Sequence, residues 1–205
     1  MEDLFDLAIS KKEDDFVNYG LGLELDVSVN ILEVLYDIPY IGSLIKLGRI
    51  GNKFQELHFI RKLSHFLEKE KDIPLHKKER FLASINLNER KLISEYLIHY
   101  LLRAEDDRKA DIMGYIYTER VYGHLDNDML LRLCSIIDKI FIPDLKLLPN
   151  YIEKSTENSI AVNNFINLGI IDNYAGGYWL DEPTYKLNKV GTYLYDILNK
   201  NKWFA

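Results

Sequence analysis

NERKLISEYLIHYLLRAEDDRKADIMGYIYTERVY, residues 88–122, is the stretch on which the fold turns. In its first half Leu92, Ile93, Tyr96, Leu97, Tyr100 and Leu101 recur at three- and four-residue steps. That spacing predicts a helix with one broad apolar stripe turned inward. The charged run from Arg103 to Arg108 interrupts the stripe, and Ala110, Met113, Tyr117 and Val121 resume it. Two arms joined by a short polar turn should pack antiparallel, with neighbouring helices closing around them.

Working outward, the same period continues on both sides. Upstream, Leu57, Ile60, Leu63, Phe66 and Leu67 mark one helix, and Asp72-Ile73-Pro74 restarts the chain into another that carries Phe81, Leu82 and Ile85 inward. Proline is tolerated in a first helical turn. Asn86 or Asn88 then caps the central hairpin. Downstream, Asp126 is an N-cap with Asp128 in the first turn. Leu130, Leu133, Ile137, Ile140 and Phe141 form the buried stripe of that helix, and Pro143 stops it. Residues 55–142 therefore read as five consecutive helices.

Residues 1–26 form an N-terminal arm of short apolar runs, a charged block and glycines. From Val27 to Ile50 the chain is at its most hydrophobic, yet Asn30, Glu33, Asp37, Lys46 and Arg49 are spread through it. A spanning helix wants about 20 nearly uncharged residues, and Pro39 breaks the run. Two amphipathic pieces fit instead, residues 29–37 and 40–50. Two readings stand open for them: core helices, or a membrane-active or partner-binding hairpin reaching to Gly51.

Beyond Pro149 the texture changes. Tyr151–Asn158 is expected as one short helix, and Ser159–Leu168 as a second with Ile160, Phe165 and Leu168 inward and Gly169 as its C-cap. A turn-rich section from Asp172 to Gly177 leads to Tyr178-Trp179-Leu180, then Tyr185-Lys186-Leu187 and a last helix, Lys189–Asn199. The predicted fold is mostly α: a multi-helix body over residues 1–148, then a small winged-helix-like α+β module over 149–205.

Two resemblances attach to these segments. Asn167-Leu168-Gly169-Ile170-Ile171 and the run Tyr185-Lys186-Leu187-Asn188-Lys189-Val190-Gly191-Thr192-Tyr193-Leu194 resemble the closing segment of bacterial winged-helix domains. Asp37-Ile38-Pro39-Tyr40-Ile41-Gly42, Arg61-Lys62-Leu63-Ser64-His65-Phe66-Leu67 and the residues from Arg103 to Ala110 resemble a widespread, uncharacterised family of helical bacterial and phage proteins, over roughly residues 27–148. That resemblance implies a helical fold and a bacterial or mobile-element setting, with variable C-terminal modules. It supplies no catalytic residues.

Composition narrows the function. With 47% hydrophobic and 28% charged residues, the chain is ordinary for a folded protein. A net charge of −6 disfavours nucleic acid as a direct partner. Cys134 is the sole cysteine, so no disulfide forms within the chain, and the acidic opening Met1-Glu2-Asp3-Leu4-Phe5-Asp6 is unlike a signal peptide. Both predict a cytoplasmic protein.

No constellation of catalytic or metal-binding type emerges, and no cofactor is expected. His58, His65, His76, His99 and His124 never form a His-Glu-x-x-His pattern. Asp126-Asn127-Asp128 begins like a calcium loop but has Leu130 at the third ligand position. Gly48-Arg49-Ile50-Gly51-Asn52-Lys53 lacks P-loop spacing, and Cys134 lies in an apolar stripe. Glu105, Asp106 and Asp107 stand among Arg103, Arg108 and Lys109, which reads as an ion-paired helix junction.

In the C-terminal module Ser159–Leu168 contains no basic residue, whereas a DNA reader needs Lys or Arg there. Tyr174, Tyr178, Trp179 and Tyr185, edged by acids, form the candidate protein interface. The alternative is that Trp179 and one or two tyrosines seal the module against the body. The expectation is a non-catalytic protein–protein interaction protein, an inhibitor or adaptor in phage–host conflict, whose partner is another protein or a nucleic-acid-binding complex. Its rivals are a membrane-active effector working through residues 27–51 and a winged-helix DNA-binding regulator. A homo-oligomer is also compatible with the tyrosines and the hydrophobic run.

Overall fold

A computed structural model describes residues 53–70, 72–174 and 183–204. The expectations for the N-terminal arm, for Val27–Gly51, and for Tyr178 and Trp179 lie outside the described residues. Those described are mostly helical, with one two-stranded antiparallel sheet near the C-terminus. Among them, no helix is long and apolar enough to cross a membrane. The chain divides into two compact units after Cys134.

In the first unit α1 (Lys53–Glu68), α2 (Leu75–Ser84), α3 (Leu87–Arg103) and α4 (Asp107–Val121) follow one another, and α5 (Asn127–Lys139) begins. Local chemistry sets their starts. The Asn86 side chain accepts from the amides of Asn88 and Glu89, both at 3.0 Å, while the Glu89 carboxylate accepts the Asn86 amide at 3.0 Å. This capping box occupies orphan donors at the head of α3. Asp106 caps α4 through the Arg108 amide at 2.9 Å, and Asp126 accepts the Met129 amide at 2.7 Å to start α5.

α4 is the central element of this unit. Ala110, Ile112, Met113, Ile116, Tyr117 and Val121 are all buried, so it is covered on nearly every side. Its main partner is α1, with α2 also against it. Ile60, Leu63, Phe66 and Leu67 of α1 and Phe81 of α2 are buried as their spacing predicts.

α3 departs from expectation. Its buried side chains are Ile93, Ser94, Leu97, Ile98 and Leu101, whereas Leu92 is 47% and Tyr96 44% exposed. The helix carries two adjacent apolar stripes, and packing turned only one of them inward. Phe141, expected in the stripe of α5, is likewise 64% exposed.

α5 ends at Lys139, ahead of Pro143 as expected, and in the second unit Pro143 stands in the first turn of a tighter 3-10 helix, Ile142–Tyr151. Leu145, Leu148 and Tyr151 are buried, and this helix packs against β2 (Thr184–Leu187). The helix expected over Tyr151–Asn158 is absent. That stretch is irregular, and Ser155 exchanges backbone hydrogen bonds of 2.8 and 3.0 Å with Tyr185.

Ser159 caps α6 (Ile160–Asn167) through the Val162 amide. Its inward face is Ala161, Val162 and Phe165, which leaves Ile160 83% exposed and Leu168 only half-buried. Gly169 ends the helix at φ +71°, with its own amide on the Ile166 carbonyl and the Ile170 amide on the Phe165 carbonyl. β1 (Ile171–Tyr174) then pairs antiparallel with β2, Ile171 opposite Leu187 and Tyr174 opposite Thr184. Finally α7 (Lys189–Lys200) buries Leu194, Ile197 and Leu198.

Candidate functional site

The densest polar constellation joins α1 to α4. Arg61 and His65 on α1, and Lys69 in the turn just past its end, recur every four residues, as do Asp107 and Asp111 on α4, so each set lies along one side of its helix. Across the contact Arg61 Nη2 lies 2.7 Å from Asp107 Oδ2, and Lys69 Nζ lies 2.9 Å from Asp111 Oδ1. His65 stands between the two carboxylates, with Nδ1 3.1 Å from Asp111 and Nε2 3.9 Å from Asp107. At the preceding turn Glu105 takes Lys109 at 2.8 Å and Asp106 takes Arg108 Nε at 3.0 Å. The ion-paired junction expected there is present, but Asp107 leaves it to reach α1.

Electrostatics follow from this geometry. Burial of Asp111 opposes its ionisation. Hydrogen bonds from His65 and Lys69, and their charges, outweigh that and hold the carboxyl below the ordinary carboxylate value. Burial lowers the Lys62 ammonium, against the opposing pull of Asp107 and Glu105. A carboxylate that orients a histidine through Nδ1 is half of an acid–base pair. Here the Nε2 edge, which a general base would offer to a reacting hydroxyl, faces Asp107. Alternating cations and carboxylates instead tie two helices together.

Asp111→Asn therefore tests a structural clamp. Because the folded carboxyl is depressed, its contribution is present above the ordinary carboxylate pKa and is lost as pH falls through the folded value. At neutral pH the variant should lose about 1.5–3 kcal/mol, the worth of hydrogen bonds to a charged group. Denaturant titrations at neutral and strongly acidic pH should show that difference shrinking in acid. An equal loss at both would place the effect in packing.

Other groups that could carry chemistry are less well placed. Cys134 is fully buried, and burial pushes its thiol far above the usual range, so little thiolate exists to act as a nucleophile. Among the described residues no group of three or more His, Cys, Asp or Glu side chains gathers to hold a metal ion. The α1–α4 network was legible only as the spacing 61, 65, 69 against 107, 111, and nothing in the sequence paired the two sets.

On the second unit the candidate aromatics separate. Tyr174 stands 44% exposed at the end of β1, with the Lys154 ammonium 5.3 Å from its ring centroid. Tyr185 is only 4% exposed and belongs to the core of its unit, opposite Asn173 in the sheet. Strand alternation explains the split, since on β2 Tyr185 and Leu187 face inward while Thr184 and Lys186 do not. α6 leaves Ile160, Asn163, Asn164 and Asn167 on the surface, at helical spacing on one face. Glu153, Glu157 and Asp172 are also exposed. Comparisons with protein-family models, with curated protein sequences and with solved structures find no match to this chain.

Proposed function

We propose that the chain is a non-catalytic protein-binding protein, an inhibitor or adaptor in phage–host conflict, and that its C-terminal unit is a winged-helix-like module turned to protein recognition. The observation that carries this reading is the surface of that unit. On α6 it exposes Ile160 together with the uncharged Asn163, Asn164 and Asn167 and no basic residue, and at the end of β1 it exposes Tyr174. Exposed aromatic and aliphatic side chains without charge are what a protein interface selects.

The order α6, Gly169, β1, β2, α7, with Ser155 bridging Tyr185 on the far side of β2, supports the winged-helix likeness. Two features speak against a duplex reader. A helix-turn-helix sets one helix ahead of the recognition helix, and the stretch before α6, from Ile152 to Ser159, is not helical. Phosphate contacts need cations that α6 lacks. A net charge of −6 would let the chain compete for a basic groove on a nucleic-acid-binding complex.

The test is affinity capture from a bacterial lysate, with wild type beside an Ile160→Ser, Tyr174→Ala double variant. A stoichiometric partner lost in a variant that melts as wild type does is the expected result. Salt-sensitive binding of duplex DNA would reverse the reading in favour of a regulator, and an unchanged partner set would move the interface off this unit.

A further inference from the structure

The outward face of α3 is apolar at its centre and oppositely charged at its two ends, and we infer that it is a self-complementary docking surface for a second copy of this chain. Helical steps of about 100° per residue place Glu89, Leu92, Tyr100 and Arg103 all within about 40° of the direction of Tyr96. Leu92 is 47% and Tyr96 44% exposed, Glu89 and Arg103 are exposed, and Tyr100 is half-buried. The rings of Tyr96 and Tyr100 stack, with centroids 6.0 Å apart, so the centre of the face is a flat aromatic platform.

What commits this face to its own copy is the symmetry of the sequence about Tyr96. Leu92 and Tyr100 stand equally far from it on either side, and so do Glu89 and Arg103. When two such helices pack antiparallel about a two-fold axis through Tyr96, every contact is made twice. Tyr96 meets its own mate, Leu92 meets the mate of Tyr100, and Glu89 meets the mate of Arg103. Parallel packing would set Glu89 against Glu89 and Arg103 against Arg103, so the charges choose the antiparallel orientation. Glu89 already accepts the Asn86 amide through Oε2. A carboxylate has further acceptor sites and a guanidinium five donors, so each can serve a second partner.

One helix face is smaller than the roughly 800 Å² per partner of a standard interface, so the dimer is expected to dissociate in the micromolar range. This surface is separate from the one invoked for partner binding, and either can fail alone.

The experiment is site-directed crosslinking of the full chain. Cys134 is buried, so a cysteine placed on α3 is the reactive thiol. Tyr96→Cys should oxidise to a disulfide-linked dimer of twice the 24.1 kDa chain mass, because its mate lies across the axis. Leu92→Cys alone should crosslink at least ten-fold less, whereas a mixture of Leu92→Cys and Tyr100→Cys chains should crosslink to each other. In light scattering at rising concentration, wild type should gain mass and Leu92→Asp should not, with an unchanged melting temperature. Charge reversal gives an independent reading: Glu89→Arg and Arg103→Glu each weaken the dimer, and the double variant restores it. A wild type that stays monomeric at all concentrations while Tyr96→Cys fails to crosslink would overturn the inference and leave the face to another segment or another protein.

Discussion

Replacing Phe66 by alanine is expected to cost about 3–5 kcal/mol, the range for truncating a buried aromatic. Phe66 is 1% exposed on α1. Its ring centroid lies 5.3 Å from that of Tyr117 on α4, and Tyr117 in turn meets Phe81 of α2 edge-on at 5.9 Å. Three helices thus share one aromatic chain, and Phe66 closes its α1 end. Truncation leaves a cavity where α1 and α4 make their main contact and forfeits the aromatic pairing, itself worth about 0.5–1.5 kcal/mol. A drop of roughly 2–4 °C per kcal/mol should appear in the melting temperature. Leu87→Ala, at a side chain 80% exposed, is the matched control and should change stability by under about 0.5 kcal/mol. A loss below about 1 kcal/mol for Phe66→Ala would mean that α1 does not pack on α4 through this ring.

Gly191→Ala should destabilise by about 2–3 kcal/mol, even though alanine is the better helix former by up to about 1 kcal/mol. A Cβ at this position would lie 2.0 Å from the Ile170 carbonyl oxygen and 3.1 Å from Leu187 Cδ2. That carbonyl cannot simply swing away, because it accepts the Asn188 amide at 3.2 Å. Asn188 is the N-cap of α7, its side chain accepting from Val190 and Gly191 and donating to the Gly169 carbonyl and Asp172. A methyl group therefore forces α7 off β1's entry and strains its cap together. Overpacking of this kind costs about 1–3 kcal/mol, and a weakened backbone hydrogen bond adds about 1. The urea midpoint should fall, and the Asn188 and Val190 amides should exchange faster. A stabilised variant, which helix propensity alone would give, would show that α7 can shift without loss.

How far the sequence could be read varied with the residue. The spacing of Ile60, Leu63, Phe66 and Leu67, and of Ala110, Met113, Tyr117 and Val121, marked side chains that are indeed buried. The caps at Asn86 and Asp126 were equally plain, because each acts on amides two or three residues away, whereas the same role of Asp106 and Ser159 emerged only in the fold. On α3 the pattern named the helix but not the half of its apolar surface that packs. Leu92 and Tyr96 are as apolar as Ile93 and Leu97, and only neighbours distant in sequence can choose between them. Of the four candidate interface aromatics, Tyr174 stands on the surface and Tyr185 in the core, a division made by strand register, which the sequence did not disclose.

Residue order alone was enough for the helical class, for the starts of α3 and α5 and for Gly169 as the end of α6, because these depend on hydropathy period and on hydrogen bonds between near neighbours. Which stripe of α3 faces outward, and the pairing of Ser155 with Tyr185, were settled only by packing. It also brought Arg61, His65 and Lys69 against Asp107 and Asp111. Each of those is a contact between residues far apart in the chain, and its energy depends on how helices and strands are set against one another rather than on any local preference.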